Sequence, residues 1–242
     1  MRLAQRAGGI SSHQWTNPGA TERTDFAQFV RSGRADAIFA RAIILVEGES
    51  EAIALPAFAA YLGLDLDRDG VFVARADGNA FGFMLRALGA TALNIPVVVT
   101  YDTDSLAQAN QVLLAARDAG LLQNPAVAAV RAGAPAQKRA LLDPLGWIPA
   151  DPNFEGEVCA AGYAPTGLGM IRAQGEEGSL DAYLQANSHN KDATGIAAYL
   201  VSKSGKHLKI PFARAVAAAV PSVARVPTCY ETALRTAVRL AA

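Results

Sequence analysis

The sequence has little cysteine and no long apolar run, and each absence excludes a class of protein. Cys159 and Cys229 are its two cysteines, too few and too far apart to suggest a disulfide framework or a zinc site. No apolar run approaches the roughly 20 residues that cross a bilayer, and residues 1–15 lack the apolar core of a signal peptide. We therefore expect a cytoplasmic protein with reduced thiols and no membrane span.

The chain also lacks an excess of either charge. Its 22 Lys and Arg residues balance its 22 Asp and Glu residues, so the formal net charge is zero. Binding to nucleic-acid phosphates draws heavily on Lys and Arg. Tight DNA binding by this chain would therefore need bound metal ions, a local basic patch or another part of a larger protein.

What is present is a globular composition with a regular apolar pattern. Hydrophobic residues make up 51% of the 242 residues and charged residues 18%, which argues against general disorder. Short continuous apolar runs predict buried parallel strands at 42–48, 71–77 and 95–104. Helical patterns follow these strands at 49–63, 78–93 and 105–122. Such a βαβαβ series predicts an α/β fold whose ligands bind beyond the carboxyl ends of the strands.

The remainder of the chain differs from this alternating region. Residues 1–24 are rich in Gly, Ser, Thr and Asn and predict an irregular lead-in, followed by helical spacing from Asp25 to Ala40. After roughly residue 124 the pattern is mostly helical, with one further strand predicted at 146–152. We predict three parts. Residues 1–40 form a lead-in with a linker helix, and residues 41–150 form the sheet domain. Residues 151–242 form a mainly helical elaboration, one segment of which returns to the sheet.

Acidic residues follow two of the predicted strands. Glu47, Glu49 and Glu51 come after the first strand, and Asp102 and Asp104 end the third. The carboxyl ends of parallel strands lie on one edge of a sheet, so these carboxylates repel one another unless a cation lies between them. Mg²⁺ and Mn²⁺ prefer oxygen ligands, and the pattern predicts such a site. Glu49 is interpreted as solvent-facing, because the helix dipole favours an anion in the first turn.

Together the two acidic motifs resemble those of a known family. The sequence LVEGESE (45–51), followed by VTYDTD (99–104), is similar to the glutamate and DxD motifs of the Toprim domain in OLD-family (overcoming lysogenization defect) nucleases. The resemblance covers about residues 38–110 and extends through DPNFEGE (151–157) and KIPFARA (209–215). It implies a Toprim-type parallel sheet flanked by helices, with an additional mainly helical subdomain.

The resemblance implies a set of carboxylate metal ligands: Glu47, Glu51, Asp102, Asp104, Glu155 and Glu157. Glu47 and Asp102 would hold one metal ion, with Asp104 nearby. Glu51 would serve a second ion, with help from either Glu155 or Glu157. The implied activity is that of a DNA endonuclease, nicking or cutting both strands, which hydrolyses the phosphodiester with two Mg²⁺ or Mn²⁺ ions.

The implied catalytic residues are Glu47, Asp102, Asp104 and Lys209. Lys209 resembles the family's basic residue and would stabilise charge on the phosphate during transfer. Lys203 and Lys206 are close enough in the sequence to be the donor instead, or to form a solvated basic face.

Known OLD proteins place this region after an ABC-type ATPase, which is the partner region the resemblance implies in the full-length protein. The sequence contains no GxxxxGK[ST] phosphate loop, so no ATP site is assigned to this chain. The alternative to a nuclease is a noncatalytic Toprim-fold module that binds DNA or protein. Noncatalytic versions tend to lose acidic positions, whereas this chain keeps Glu47, Asp102 and Asp104.

Overall fold

The computed structural model describes residues 2–6, 9–16, 18–31, 35–76, 81–89, 92–103 and 106–242. The strands in chain order are β1 Arg2–Arg6, β2 Gly9–His13, β3 Ala42–Val46, β4 Val71–Arg75, β5 Val97–Asp102 and β6 Ile148–Ala150. β1 and β2 form an antiparallel hairpin. The other four strands form a parallel sheet in the order β4-β3-β5-β6.

Helices cover both faces of this sheet. The first seven helices are α1 Ala20–Phe29, α2 Glu49–Tyr61, α3 Leu66–Asp69, α4 Phe81–Leu88, α5 Leu106–Asp118, α6 Asn124–Val130 and α7 Pro135–Leu142. The remaining helices are α8 Phe154–Val158, α9 Ala164–Ala173, α10 Glu177–Ala186, α11 Ala193–Val201, α12 Lys209–Val223 and α13 Thr228–Ala241. Short 3₁₀ turns lie at 35–39, 143–145 and 206–208, and a π-helical segment at 159–163 joins α8 to α9.

The central strand β3 divides the apolar interior into two cores. All five of its residues are buried, and successive side chains of a strand point to opposite faces. Ile43 and Leu45 therefore pack with α4 and α5. Ile44 and Val46 pack on the other face with α2 and the helices that follow β6. Burial on both faces explains why β3 is a continuous apolar run in the sequence.

The helices after β6 build the second core and return to the sheet. Within this part α12 packs along α2, and α13 lies against β3, β5 and β6. Tyr230 of α13 is fully buried, with its ring stacked on Phe58 of α2 at a centroid distance of 6.1 Å. The last helix thus forms part of the layer that covers one face of the sheet.

The predicted α/β class with a parallel sheet and flanking helices is confirmed. The N-terminal region differs from the prediction, because the expected irregular lead-in contains the hairpin and α1 begins at Ala20, ahead of Asp25. α2 ends at Tyr61, two residues before the predicted end. Gly63, just beyond it, has a φ of 72°, a left-handed conformation that glycine adopts at little cost. Among the described residues, no helix has both the length and the apolar character needed to span a membrane.

Candidate metal and phosphate site

Three short connections bring acidic residues to the carboxyl edge of the parallel sheet. Glu47 follows β3 directly, and Gly48 then leads into the first turn of α2 with extended backbone angles. Asp102 is the last residue of β5 and lies in register with Ala150 of β6. Glu155 lies in the first turn of α8, just beyond β6. The edge predicted from the strand order is therefore the edge at which these residues lie.

Glu51 carries a carboxylate that is almost completely removed from solvent. Its exposed fraction is 5%, because it lies on the face of α2 that packs toward the core. Burial is the main cause that raises its pKa to about 7, and the charges of Glu47 and Glu155 raise it further. The backbone N–H of Glu51 and the ammonium group of Lys209 act in the opposite direction. Glu51 is thus a carboxylate that a nearby cation would stabilise in its charged form.

Asp102 and Glu155 are also withdrawn from solvent, with exposed fractions of 8% and 0%. α8 positions Glu155, since the side chain of Asn153 caps this helix by accepting a hydrogen bond of 2.9 Å from the backbone N–H of Gly156. The sequence-predicted Asp104 lies outside the described residues.

Lys209 lies at the start of α12 and reaches this group of carboxylates. Its Nζ is 3.2 Å from Oε1 of Glu155, and 37% of its side chain is exposed. Burial alone lowers the pKa of Lys209, but the charges of Glu155, Asp102 and Glu51 outweigh burial and raise it. The lysine is therefore held as a cation beside the acidic residues and in contact with solvent.

Glu157 faces a different set of groups. Its Oε1 accepts a 2.9 Å hydrogen bond from the backbone N–H of Asp151. Burial, followed by the charge of Glu157, raises the pKa of the Cys229 thiol. Its neighbours are therefore the loop after β6 and the start of α13.

Tyr230 and Arg75 belong to the surroundings of the site, although neither was identified from the sequence. Burial raises the pKa of Tyr230 well above its ordinary value, and the charges of Glu51, Cys229, Asp102 and Glu155 add to this. Arg75 ends β4 and forms an ion pair with Glu49, the first residue of α2. A tyrosine within an apolar helical pattern is typical of a core residue, so no sequence feature identified Tyr230 as part of a site.

The donor atoms are carboxylate oxygens, which match the preference of Mg²⁺ and Mn²⁺. Glu47, Glu51, Asp102 and Glu155 bring four carboxyl groups to a region where Lys209 supplies one positive charge. Within the described ranges, no three His, Cys, Asp or Glu side chains are close enough to form a complete metal cluster. The residues fit a divalent cation by chemical type and by the excess of negative charge.

Fold and site together define the class of protein, a Toprim-type α/β module. A family model described as "Overcoming lysogenization defect protein-like, TOPRIM domain" matches residues 38–104. The chain is similar to the C-terminal region of the Burkholderia pseudomallei OLD protein, with a TM-score of 0.63 and 26% identity over 84% of this chain and 100% of that chain. A search of curated proteins finds no match.

A second similar structure is the C-terminal region of the Xanthomonas campestris pv. campestris OLD protein, with a TM-score of 0.62 and 25% identity over 85% of this chain and 96% of that chain. The chain thus resembles the C-terminal region of OLD proteins over most of its length, and residues 38–104 match the OLD-like Toprim model. The comparisons support a Toprim-fold module.

Proposed function

We propose that this chain is a metal-dependent DNA endonuclease that hydrolyses phosphodiester bonds with two divalent cations. The observation that carries the proposal is the gathering of Glu51, Asp102 and Glu155, each less than a tenth exposed, around the single ammonium group of Lys209. Burying several carboxylates together costs free energy unless cations compensate for them. A purely structural role does not explain why three separate elements each bury a carboxylate near the same lysine.

We assign the ligands to two ions in the order that the resemblance implies. Glu47 and Asp102 would hold one Mg²⁺ or Mn²⁺ ion, with Asp104 as a further ligand. Glu51 and Glu155 would hold the other. When bound, such ions lower the pKa of an attacking water and neutralise charge on the leaving oxygen.

Between the two alternatives in the α8 segment, the geometry favours Glu155 as the ligand. Glu155 is fully buried and its charge acts on Glu51, Tyr230 and Lys209. Glu157 instead accepts a hydrogen bond from Asp151. We propose that Glu157 supports the loop after β6 and makes no contact with the ions.

The protein's own residues contribute orientation and charge. Glu155 holds Nζ of Lys209 at the edge of the sheet, while more than a third of the lysine side chain stays exposed. We propose that Nζ in this position donates a hydrogen bond to a non-bridging phosphate oxygen and stabilises the charge that develops there. The apolar layer around Phe58, Phe154 and Tyr230 keeps water away from the buried side of the carboxylates.

The domain division at 1–40, 41–150 and 151–242 remains part of this proposal, together with an ABC-type ATPase region in the full-length protein. The packing of α12 on α2 and of α13 on the sheet supports a helical part that is built onto the Toprim core. We assign nuclease chemistry, and no ATP chemistry, to this chain.

The proposal is tested by incubating the purified chain with supercoiled plasmid and Mg²⁺ or Mn²⁺. We expect nicked or linear product, complete inhibition by excess EDTA, and recovery when Mg²⁺ is restored. The variant Asp102→Ala should lose cleavage while keeping its circular dichroism spectrum, because the residue lies at a strand end.

Asp118→Ala is the matched control, since Asp118 is a half-exposed aspartate on α5 that is paired with Arg117. It should cleave at the wild-type rate. Undiminished cleavage in excess chelator, or full activity of a folded Asp102→Ala variant, would exclude the proposed mechanism. Metal-independent DNA or protein binding without cleavage would favour the noncatalytic module.

A further inference from the structure

Arg75 lies at the same edge of the sheet as the proposed metal ligands. It is the last residue of β4, and in the parallel register it is the partner of Val46, the residue before Glu47. Val71 and Val73, which share its side of the strand, pack against the core that contains α2. Since side chains alternate along a strand, Arg75 emerges on the α2 side, next to the first helical turn.

The ion pair made by Arg75 is of a kind that a phosphate can replace. Nη1 of Arg75 lies 3.3 Å from Oε2 of Glu49, and the two side chains are 35% and 49% exposed. Exposed pairs of this kind contribute little stability. A guanidinium group binds phosphate oxygens in a two-pronged geometry, so a phosphate can compete with Glu49 for Arg75.

The position of Arg75 is complementary to that of Lys209. The strand order is β4-β3-β5-β6, so Arg75 lies on the β4 side of the carboxylates that follow β3 and β5, whereas Lys209 lies among the carboxylates, beside Glu155. Strands β4 and β5 are two strand spacings apart, about 10 Å. A DNA strand rises by roughly 3.4 Å per nucleotide, so this span corresponds to about three nucleotides.

We propose that Arg75 binds a backbone phosphate of the DNA strand two or three nucleotides from the bond that is cut, and that Glu49 holds the guanidinium group in place when DNA is absent. The inference rests on the proposed function, because it takes DNA as the substrate. It extends that function by assigning a flanking phosphate subsite on the β4 side. It also gives Glu49 a role separate from the metal ligands.

The test uses equilibrium binding of a fluorescein-labelled duplex, followed by anisotropy over a range of salt concentrations in Ca²⁺, a divalent cation that also takes oxygen ligands. Arg75→Gln should weaken binding about tenfold, the loss expected for one charge-assisted hydrogen-bonded contact. It should also make the slope of log K against log salt shallower by about 1. Arg75→Lys should recover part of the affinity, and Glu49→Gln should bind more tightly than wild type.

A matched pair at the opposite end of the same strand provides the control. Arg68 and Asp69 form an exposed ion pair just before β4, far from the carboxyl edge. Arg68→Gln and Asp69→Asn should bind DNA within about twofold of wild type, as expected when no phosphate contact is removed. Each variant should show the wild-type circular dichroism spectrum.

The outcomes separate this inference from the proposed function. Wild-type affinity for Arg75→Gln, or an equal loss for Arg68→Gln, overturns the subsite. The predicted binding pattern in a chain that does not cleave plasmid supports the subsite and refutes the nuclease activity. A wild-type chain without measurable affinity for duplex DNA refutes the DNA substrate and the subsite together.

Discussion

At the scale of single residues, Glu51 couples the proposed metal site to the stability of the fold. In the unfolded chain its carboxyl group ionises near its ordinary pKa of 4.5, whereas in the folded chain burial raises the pKa to about 7. Between these values the folded state binds more protons than the unfolded state. The free energy of unfolding therefore decreases as pH rises through this window, and the whole penalty is present above it.

Glu51→Gln should remove this penalty. In EDTA at pH 8 we expect the variant to melt about 4 °C or more above wild type, because each kcal/mol shifts the melting temperature of a chain of this size by about 2–4 °C. The difference should vanish only as pH falls well below 4.5, where Glu51 is protonated in both states. Differential scanning calorimetry of both proteins across this range is the measurement.

Glu49→Gln is the control for this experiment, since Glu49 is half exposed and no buried charge is removed. Its melting temperature should follow that of wild type at every pH. Equal melting temperatures for Glu51→Gln and wild type at pH 8 would show that the buried carboxylate does not destabilise the metal-free fold.

Lys209 should act mainly on the cleavage step. Its ammonium group is held by Glu155 among the carboxylates, whereas Lys203 and Lys206 are exposed. Lys209→Ala should lower the single-turnover cleavage rate by about 100-fold, the loss typical of removing a donor to a developing charge. DNA affinity should change much less.

Lys203→Ala and Lys206→Ala should show the reverse pattern, with near-normal cleavage and slightly weaker, salt-dependent binding. All three variants should be compared at one salt concentration after their folding has been verified. Wild-type cleavage by Lys209→Ala would contradict the assignment and direct attention to the two neighbouring lysines.

At the scale of secondary-structure elements, α13 contributes to the stability of the sheet. Leu234 is fully buried on this helix, while Leu240 on the same helix is 46% exposed. Leu234→Ala should lower the free energy of unfolding by about 2–5 kcal/mol, because it removes buried methyl groups and leaves a cavity. Leu240→Ala should change it by no more than about 0.5 kcal/mol.

Urea denaturation followed by circular dichroism measures both changes. A loss for Leu234→Ala no larger than that for Leu240→Ala would show that α13 is not part of the cooperative core.

The same scale shows which elements could be predicted from the sequence. β3 and β5 were predictable because burial on both faces requires an unbroken apolar run. The hairpin of β1 and β2 was not, since neither RLAQR nor GISSH has an alternating apolar pattern. Strand ends differ from the predicted ones by a few residues, because an apolar run extends beyond the residues that form ladder hydrogen bonds.

The site could be anticipated in part for the same physical reason. Glu47 and Asp102 end strands, so the parallel topology alone places them on one edge. The contact between Glu155 and Lys209 depends on how α8 and α12 pack, and helix packing has no local signature in the sequence. Tyr230 and Arg75 could not be assigned to the site from the sequence, because only tertiary packing places them beside the site residues.

At the scale of the whole molecule, a net charge of zero coexists with strong local separation of charge. The carboxyl edge of the sheet holds an excess of carboxylates, with Lys209 among them and Arg75 on the β4 side. A nucleic acid approaching this edge meets repulsion from the carboxylates and attraction from these two cations. Divalent cations bound to the carboxylates would convert that repulsion into attraction, so DNA affinity and metal affinity should be thermodynamically linked.

The packing of α13 against β3 also determines when the chain can complete its folding during synthesis. β3 is synthesised before α13, and α13 covers part of one face of β3. Until that helix emerges, the apolar residues on this face remain open to water and to other nascent chains. The buried carboxylates are likewise brought together only late in synthesis, so a truncated polypeptide released early would carry the acidic motifs without the helices that bury them.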